Sequence, residues 1–166
     1  MTRDPARVLE NVYASWRLQD VAAVLDLCTA KICYVVHKPP EIVGVGGCML
    51  GLAEVRSYLE AVCRTWEFLE IVPGTFHIQG DEIRELMRFK TRLRGTADEL
   101  EGSKRHIWQF RNGRVCQFQE FQDAQSIRAF LGMFAPADLR PSRPAIAPPP
   151  AIVMPAGLPQ TDRRPR

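Results

Sequence analysis

Residues 104–121 read KRHIWQF, RNG, RVCQFQEF: apolar and aromatic residues recur at every second position on both sides of an Asn112-Gly113 reversal. That is the pattern of two antiparallel strands joined by a tight turn. The length of the turn sets which side chains share a face, because a one-residue slip turns every side chain over. A two-residue Asn112-Gly113 turn pairs Phe110 with Val115 and puts His106 on the face of Gln117 and Gln119. A three-residue loop, Arg111-Asn112-Gly113, pairs Phe110 with Arg114 and gathers His106, Trp108, Cys116, Phe118 and Glu120 on one face. Gln109, Gln117 and Gln119 then share the other with Val115. The second arrangement divides apolar from polar more cleanly and is preferred. It sets His106 opposite Phe118 and Lys104 opposite Glu120, so that His106 and Glu120 are diagonal neighbours.

Upstream of the hairpin, the stretches EFLEIV (67–72), TFHIQ (75–79) and EIRELMRFKTRLR (82–94) read as further strands, divided by Pro73-Gly74 and Gln79-Gly80-Asp81. In the longest, Ile83, Met87, Phe89 and Leu93 alternate with Arg84, Arg88, Lys90 and Arg92, so one side is buried and one is wet. Glu85 shares the apolar side, as a pocket carboxylate or an edge residue near the rim. Upstream, Leu9, Val12 and Trp16 recur at helical spacing after Asp4-Pro5, an N-cap and a first-turn proline. A second short helix follows Asp20, residues 31–37 (KICYVVH) form a strand, and a third helix covers about residues 52–66. Between them, residues 38–51 (KPPEIVGVGGCMLG) read as a loop. A short closing helix is placed at 123–134. Helices followed by a strand meander predict an α+β fold, a cone-shaped curved antiparallel sheet lined by about three N-terminal helices.

Nine of the thirteen prolines lie from Pro136 onward. Proline fixes φ and removes a backbone donor, so residues 135–166 are expected to be a disordered Pro/Arg-rich tail on a domain spanning 1–134. The tail also holds five arginines against Asp138 and Asp162, which accounts for the whole net charge of +3. The remainder is neutral, unlike a dedicated nucleic-acid binder. No apolar run approaches the ~18 residues of a membrane helix, and the N-terminus lacks signal-peptide features. With five cysteines and no C-x-x-C pair, buried free thiols in a cytoplasmic protein are expected.

Several tempting patterns carry little. The glycines of 44–51 lack phosphate-loop spacing. His37, His77 and His106 lie on separate strands with no local ligand partner, so no metal or cofactor is expected. Arg92, Arg94, Lys104 and Arg105 read as the solvated side of two strands.

The hairpin, ending Glu120-Phe121-Gln122-Asp123 after Gly113-Arg114, resembles the C-terminal hairpin of the SnoaL-like group in the nuclear transport factor 2-like superfamily. That superfamily includes ketosteroid isomerases and polyketide cyclases. The opening helix with Tyr13, Trp16 and Asp20, the Val43-Gly44 to Gly51 loop and the RLRGT segment at 92–96 follow in the same order, so the resemblance covers residues 5–134. It implies a ligand pocket within the cone and, for many members, a symmetric homodimer through the outer sheet face. Carried over residue by residue, the isomerase base falls on Val36, its tyrosine on Val12 and its protonated aspartate on His106. Tyr13 and His37 stand one place off and are expected to point elsewhere, so classical steroid isomerisation is not implied.

What remains is an apolar or polycyclic small-molecule ligand and acid–base chemistry of the dehydratase, isomerase or cyclase kind. His106 is the expected proton shuttle, Glu120 its orienting or second catalytic group and Tyr34 a hydroxyl donor. Trp16, Val36, Met87, Phe89, Trp108 and Phe118 are the expected lining. The alternative is a non-catalytic dimeric binding or scaffold module.

Overall fold

The computed structural model describes residues 4–37 and 46–122. The closing helix at 123–134, the tail and most of the glycine-rich loop lie outside the described residues. Helix α1 (Pro5–Arg17) starts as its sequence dictates, with Pro5 in the first turn and the Asp4 carboxylate accepting from the Ala6 amide at 3.1 Å. Asp20 caps α2 (Val21–Asp26) in the same way, accepting from Ala23 at 3.0 Å. Strand β1 (Cys28–His37) follows, then β2 (Gly47–Leu50), α3 (Gly51–Thr65), β3 (Trp66–Val72), β4 (His77–Gln79), β5 (Glu82–Leu93), β6 (Glu99–Arg111) and β7 (Arg114–Gln122). β2 corrects the reading of 38–51 as loop throughout. Gly46 and Gly47, at φ +81° and +122°, turn the chain so that Cys48 to Leu50 can pair with β1.

The strands form one sheet in the order β2-β1-β7-β6-β5-β3, with β4 also on β5. Every pairing is antiparallel except β1 with β7, which run parallel. The helices cover the inner face. Val8, Leu9, Val12 and Tyr13 of α1 and Val55 and Leu59 of α3 are buried with Ile32, Tyr34, Ile83, Met87, Trp108 and Phe118 of the sheet. The expected α+β cone is therefore the observed architecture, although β1 and β7 break its antiparallel rule.

The decisive hairpin combines both turn readings. Arg111 faces Arg114 across a two-residue turn in which Asn112 and Gly113 take φ of +52° and +69°, and Phe110 pairs with Val115. Two consecutive positive φ angles are the backbone of the tight hairpin turn whose twist matches that of the strands. A bulge then leaves Cys116 unpaired, so Gln109 faces Gln117, Trp108 faces Phe118 and His106 faces Glu120. The bulge restores the face chosen from sequence but moves the pairing along. His106 lies directly opposite Glu120, not diagonal to it, and Lys104 faces Gln122. It also places Val115 in the core, fully buried, and not among the outer glutamines. Cys116, expected beside His106, is the half-buried bulge residue and hydrogen-bonds the Gln109 carbonyl.

Candidate functional site

Register alone assembles the site. Glu85 on β5 pairs with His106 on β6, His106 with Glu120 on β7, and Glu120 with Val36 on β1, one straight row across four strands. The next row is Ile83, Trp108, Phe118 and Tyr34; on the other side lie Met87, Lys104 and Gln122. Inner-face alternation thus aims two carboxylates, an imidazole and an ammonium at one spot beneath α1. Glu85, His106 and Glu120 are all buried, at 4%, 1% and 5% exposure.

Burying this many charges is tolerable only when they are paired and hydrogen-bonded. The Lys104 ammonium lies 3.0 Å from Glu120 Oε1, which also accepts from Gln122, and 4.8 Å above the Phe89 ring. His106 Nε2 lies 3.3 Å from Glu120 Oε2, within ion-pair distance but off the line of a good hydrogen bond. On the other side of the ring, Nδ1 is 2.9 Å from the Tyr13 hydroxyl and 3.6 Å from Glu85 Oε1. Glu85 Oε1 accepts from the Tyr13 hydroxyl and, at 2.9 Å, from Trp108 Nε1.

The protons can be placed by counting donors. Burial, reinforced by the Glu85 charge, pushes the Tyr13 hydroxyl far above its usual range, so it keeps its proton. It donates that proton to Glu85, so His106 Nδ1 must carry a proton to donate to the Tyr13 oxygen. Burial by itself favours a neutral imidazole, but the contacts with Glu120 and Glu85 outweigh it and raise the His106 pKa. Burial likewise opposes the Glu120 carboxylate, yet Lys104 and His106 hold its pKa well below the ordinary range. The donor count thus requires a proton on Nδ1, and the raised His106 and lowered Glu120 pKa both favour an ion pair between the ring and Glu120. Two buried polar atoms in the cluster lack a hydrogen bond, Glu85 Oε2 and His106 Nε2.

Aromatic rings enclose this group. Trp108 and Phe118 lie 4.3 Å apart between centroids, and Tyr34 packs at a tilt against Phe118 at 4.4 Å and against Tyr58 at 5.8 Å. Trp16, half-buried on α1, packs edge-on to His106 at 6.2 Å and to Phe118 at 6.0 Å. Val36 and Met87 are buried next to Glu120 and Lys104, and Phe89 is half-buried at the Lys104 end. Each residue singled out from sequence thus lies on the inner face or, for Trp16, against it. Tyr34 belongs to the wall and makes no hydrogen bond to His106 or Glu120.

Three members of the cluster escaped that reading. Tyr13 points inward although the carry-over assigned its place to Val12; on α1 both residues lie on one wide buried face. Lys104, grouped with the solvated basic residues, has the parity of His106 and sits inside. Glu85 was left undecided, yet a carboxylate between Ile83 and Met87 on a core-facing strand was the available signal. The thiols also differ from expectation: only Cys28 is buried, its pKa pushed up to about 12 by burial, while Cys48 is exposed and the others are half-buried. Among the described residues no group of three or more His, Cys, Asp and Glu side chains is arranged to hold a metal ion. No helix among them is long and apolar enough to cross a membrane.

No family model matches the chain, and no curated protein does. Solved structures do. The chain is similar to TerC, crystallised with polyporic acid, at 22% identity and a TM-score of 0.66, over 77% of this chain and 98% of that one. A nuclear transport factor 2-like protein of unknown function from Burkholderia pseudomallei K96243 aligns at 20% identity and a TM-score of 0.67, covering 76% and 95%. A protein with a ketosteroid isomerase-like fold from Catenulispora acidiphila DSM 44928, in complex with trimethylamine, aligns at 18% identity and a TM-score of 0.66, covering 85% and 100%. The fold is the nuclear transport factor 2-like, ketosteroid isomerase-like cone.

Proposed function

We propose that this cone holds an apolar or polycyclic small molecule and acts on it by acid–base chemistry of the dehydratase, isomerase or cyclase kind. The observation that carries the proposal is the pair of unsatisfied buried atoms, Glu85 Oε2 and His106 Nε2, at the centre of an otherwise bonded cluster. Folded proteins rarely leave such atoms unpaired, and a bound hydroxyl, which both donates and accepts, would supply the missing partners. In this reading His106 Nε2 gives its proton to a ligand oxygen and later recovers it. The Tyr13–Glu85 pair holds the ring by Nδ1 throughout. Glu120 steadies the imidazolium before transfer, and Lys104 compensates Glu120 once the ring is neutral. Tyr34, whose pKa burial raises well above normal, stays protonated and serves as a donor in the wall.

Two structurally similar proteins were solved with small organic molecules, polyporic acid and trimethylamine. The wall of Trp16, Val36, Met87, Phe89, Trp108 and Phe118 argues for an apolar one here. We assign the protein to the cytoplasm, and a homodimer to the outer face, where Val35, Ile107, Gln117, Gln119 and Phe121 are half-exposed.

The test is turnover of hydroxylated polycyclic carbonyl compounds by the wild type and by His106→Ala. Loss of a general acid lowers the rate by about 10²–10⁴; a variant that retains every activity found sinks the proposal. The same burial also favours a second reading, a non-catalytic scaffold whose cluster only ties three strands together. It predicts no ligand-induced change in Trp fluorescence and a dimer, by light scattering, that His106→Ala leaves intact if the fold survives.

A further inference from the structure

The face of the sheet turned away from His106 carries two thiols on neighbouring strands. Cys33 on β1 pairs with Leu50 of β2, and Cys48 on β2 pairs with Val35 of β1, so the cysteines are diagonal neighbours on one side of an antiparallel pair. Tyr34 and Val36, between and beyond them on β1, point the other way into the core. Both thiols are free; Cys48 is exposed and Cys33 half-buried. A diagonal pair typically stands about 7–8 Å apart at the backbone, at the edge of what a disulfide spans. Here the remaining adjustment falls on β2, a four-residue strand that, among the described residues, lies at the edge of the sheet and pairs on one side only. It comes directly after the bend in which Gly46 and Gly47 take positive φ.

We propose that Cys33 and Cys48 form an intramolecular disulfide when the protein meets a peroxide, an oxidation site that locks the edge strand to β1. The exposed Cys48 thiolate attacks the peroxide oxygen and becomes a sulfenic acid, releasing water or an alcohol. The Cys33 thiolate then displaces the hydroxyl from the Cys48 sulfur, forming the S–S bond and releasing a second molecule as water; both electrons go to the peroxide. Burial, and the neighbouring Cys48 thiol after it, raise the Cys33 pKa, which suits Cys33 to the resolving role and leaves first attack to Cys48. The link closes a ring over residues 33–48 and fixes the strand that also presents Tyr34 and Val36 to the site. It does not depend on the acid–base proposal, since neither cysteine belongs to the inner face.

The experiment treats the full chain with hydrogen peroxide and counts thiols after denaturation, with unreduced peptide mapping. Of the five thiols, two should disappear, the Cys33 and Cys48 peptides should be joined, and the chain should remain monomeric on a non-reducing gel. Cys33→Ser should instead accumulate a Cys48 sulfenic acid trapped by a cyclic dione, and Cys48→Ser should keep Cys33 reduced. The proposal is overturned if all five thiols persist, if the link joins other cysteines or two chains, or if Cys33→Ser still loses two thiols.

Discussion

Replacing Glu120 by Gln tests the charge balance of the buried row most severely. The amide is nearly isosteric, so packing against Val36 and Phe118 is kept while one negative charge is removed. The cluster then holds one cation too many. Stranding a buried charge costs about 3–5 kcal/mol when it has no escape. Here it has two: Lys104 is partly exposed, and His106 can release its proton. With Glu120 gone, only Glu85 is left to oppose burial at His106, so the His106 pKa falls from its raised value. What is lost is the charge assistance of hydrogen bonds that the amide can only partly replace, about 2 kcal/mol, or roughly 8 °C in Tm for a domain of this size.

The pH dependence gives the sharper test. A folded His106 pKa above the unfolded value of about 6.5 contributes stability that is fully present below that value and lost as pH rises through the folded pKa. The lowered Glu120 pKa contributes stability present above the unfolded carboxylate value, about 4.3, and lost as pH falls through the folded pKa. The pair therefore stabilises the wild type most between about pH 4.3 and 6.5. Above that window each proton released costs at most about 1.4 kcal/mol per pH unit. In Glu120→Gln the alkaline decline should shrink and begin at lower pH, because one of the two carboxylates that favour the imidazolium is gone. Urea denaturation from pH 4 to 9 reads both curves. Parallel curves for the two proteins would mean that Glu120 does not set the His106 pKa.

Other substitutions reach other parts of the account. Tyr13→Phe removes the hydroxyl shared by Glu85 and His106 Nδ1; it should cost about 1–3 kcal/mol in urea denaturation through the groups left unpaired. Phe118→Ala empties the middle of the aromatic wall, where Phe118 is fully buried, and should cost about 3–5 kcal/mol by the same assay. Gly113→Val forces a β-branched residue to φ +69° and should lower stability by at least about 1–2 kcal/mol. Asn112→Gly, tolerated at φ +52°, should change it little, and circular dichroism melts compare the two.

The sequence made the faces legible and the pairing less so. Alternation in β5, β6 and β7 depends only on which residues must leave water, so the inward direction of His106, Trp108, Phe118 and Met87 followed from local pattern. Which residue stood opposite His106 depended on a bulge at Cys116, and nothing in the composition of RVCQFQEF marks a bulge. β2 was hidden because Gly46 and Gly47, residues that break regular structure, also supply the bend that lets the next residues pair. Tyr13 and Lys104 were misplaced for a common reason. Each was judged by its type or by an alignment offset, while its helix face or strand parity already placed it beside His106. The proton positions needed the three-dimensional contacts, since Glu85 comes from a strand about twenty residues away in sequence.

The charge state of one ring tests the account most directly. Nitrogen-15 NMR of the histidine side chains, with His106 assigned by its loss in His106→Gln, reports whether each ring nitrogen bears a proton. At about pH 6.5, where an ordinary imidazole is half protonated, more than half of His106 should carry protons on both nitrogens, because its pKa is raised. A His106 ring that is mostly neutral at that pH, with a bare Nε2 beside Glu120, would contradict the ion pair and the proton-donor role built on it.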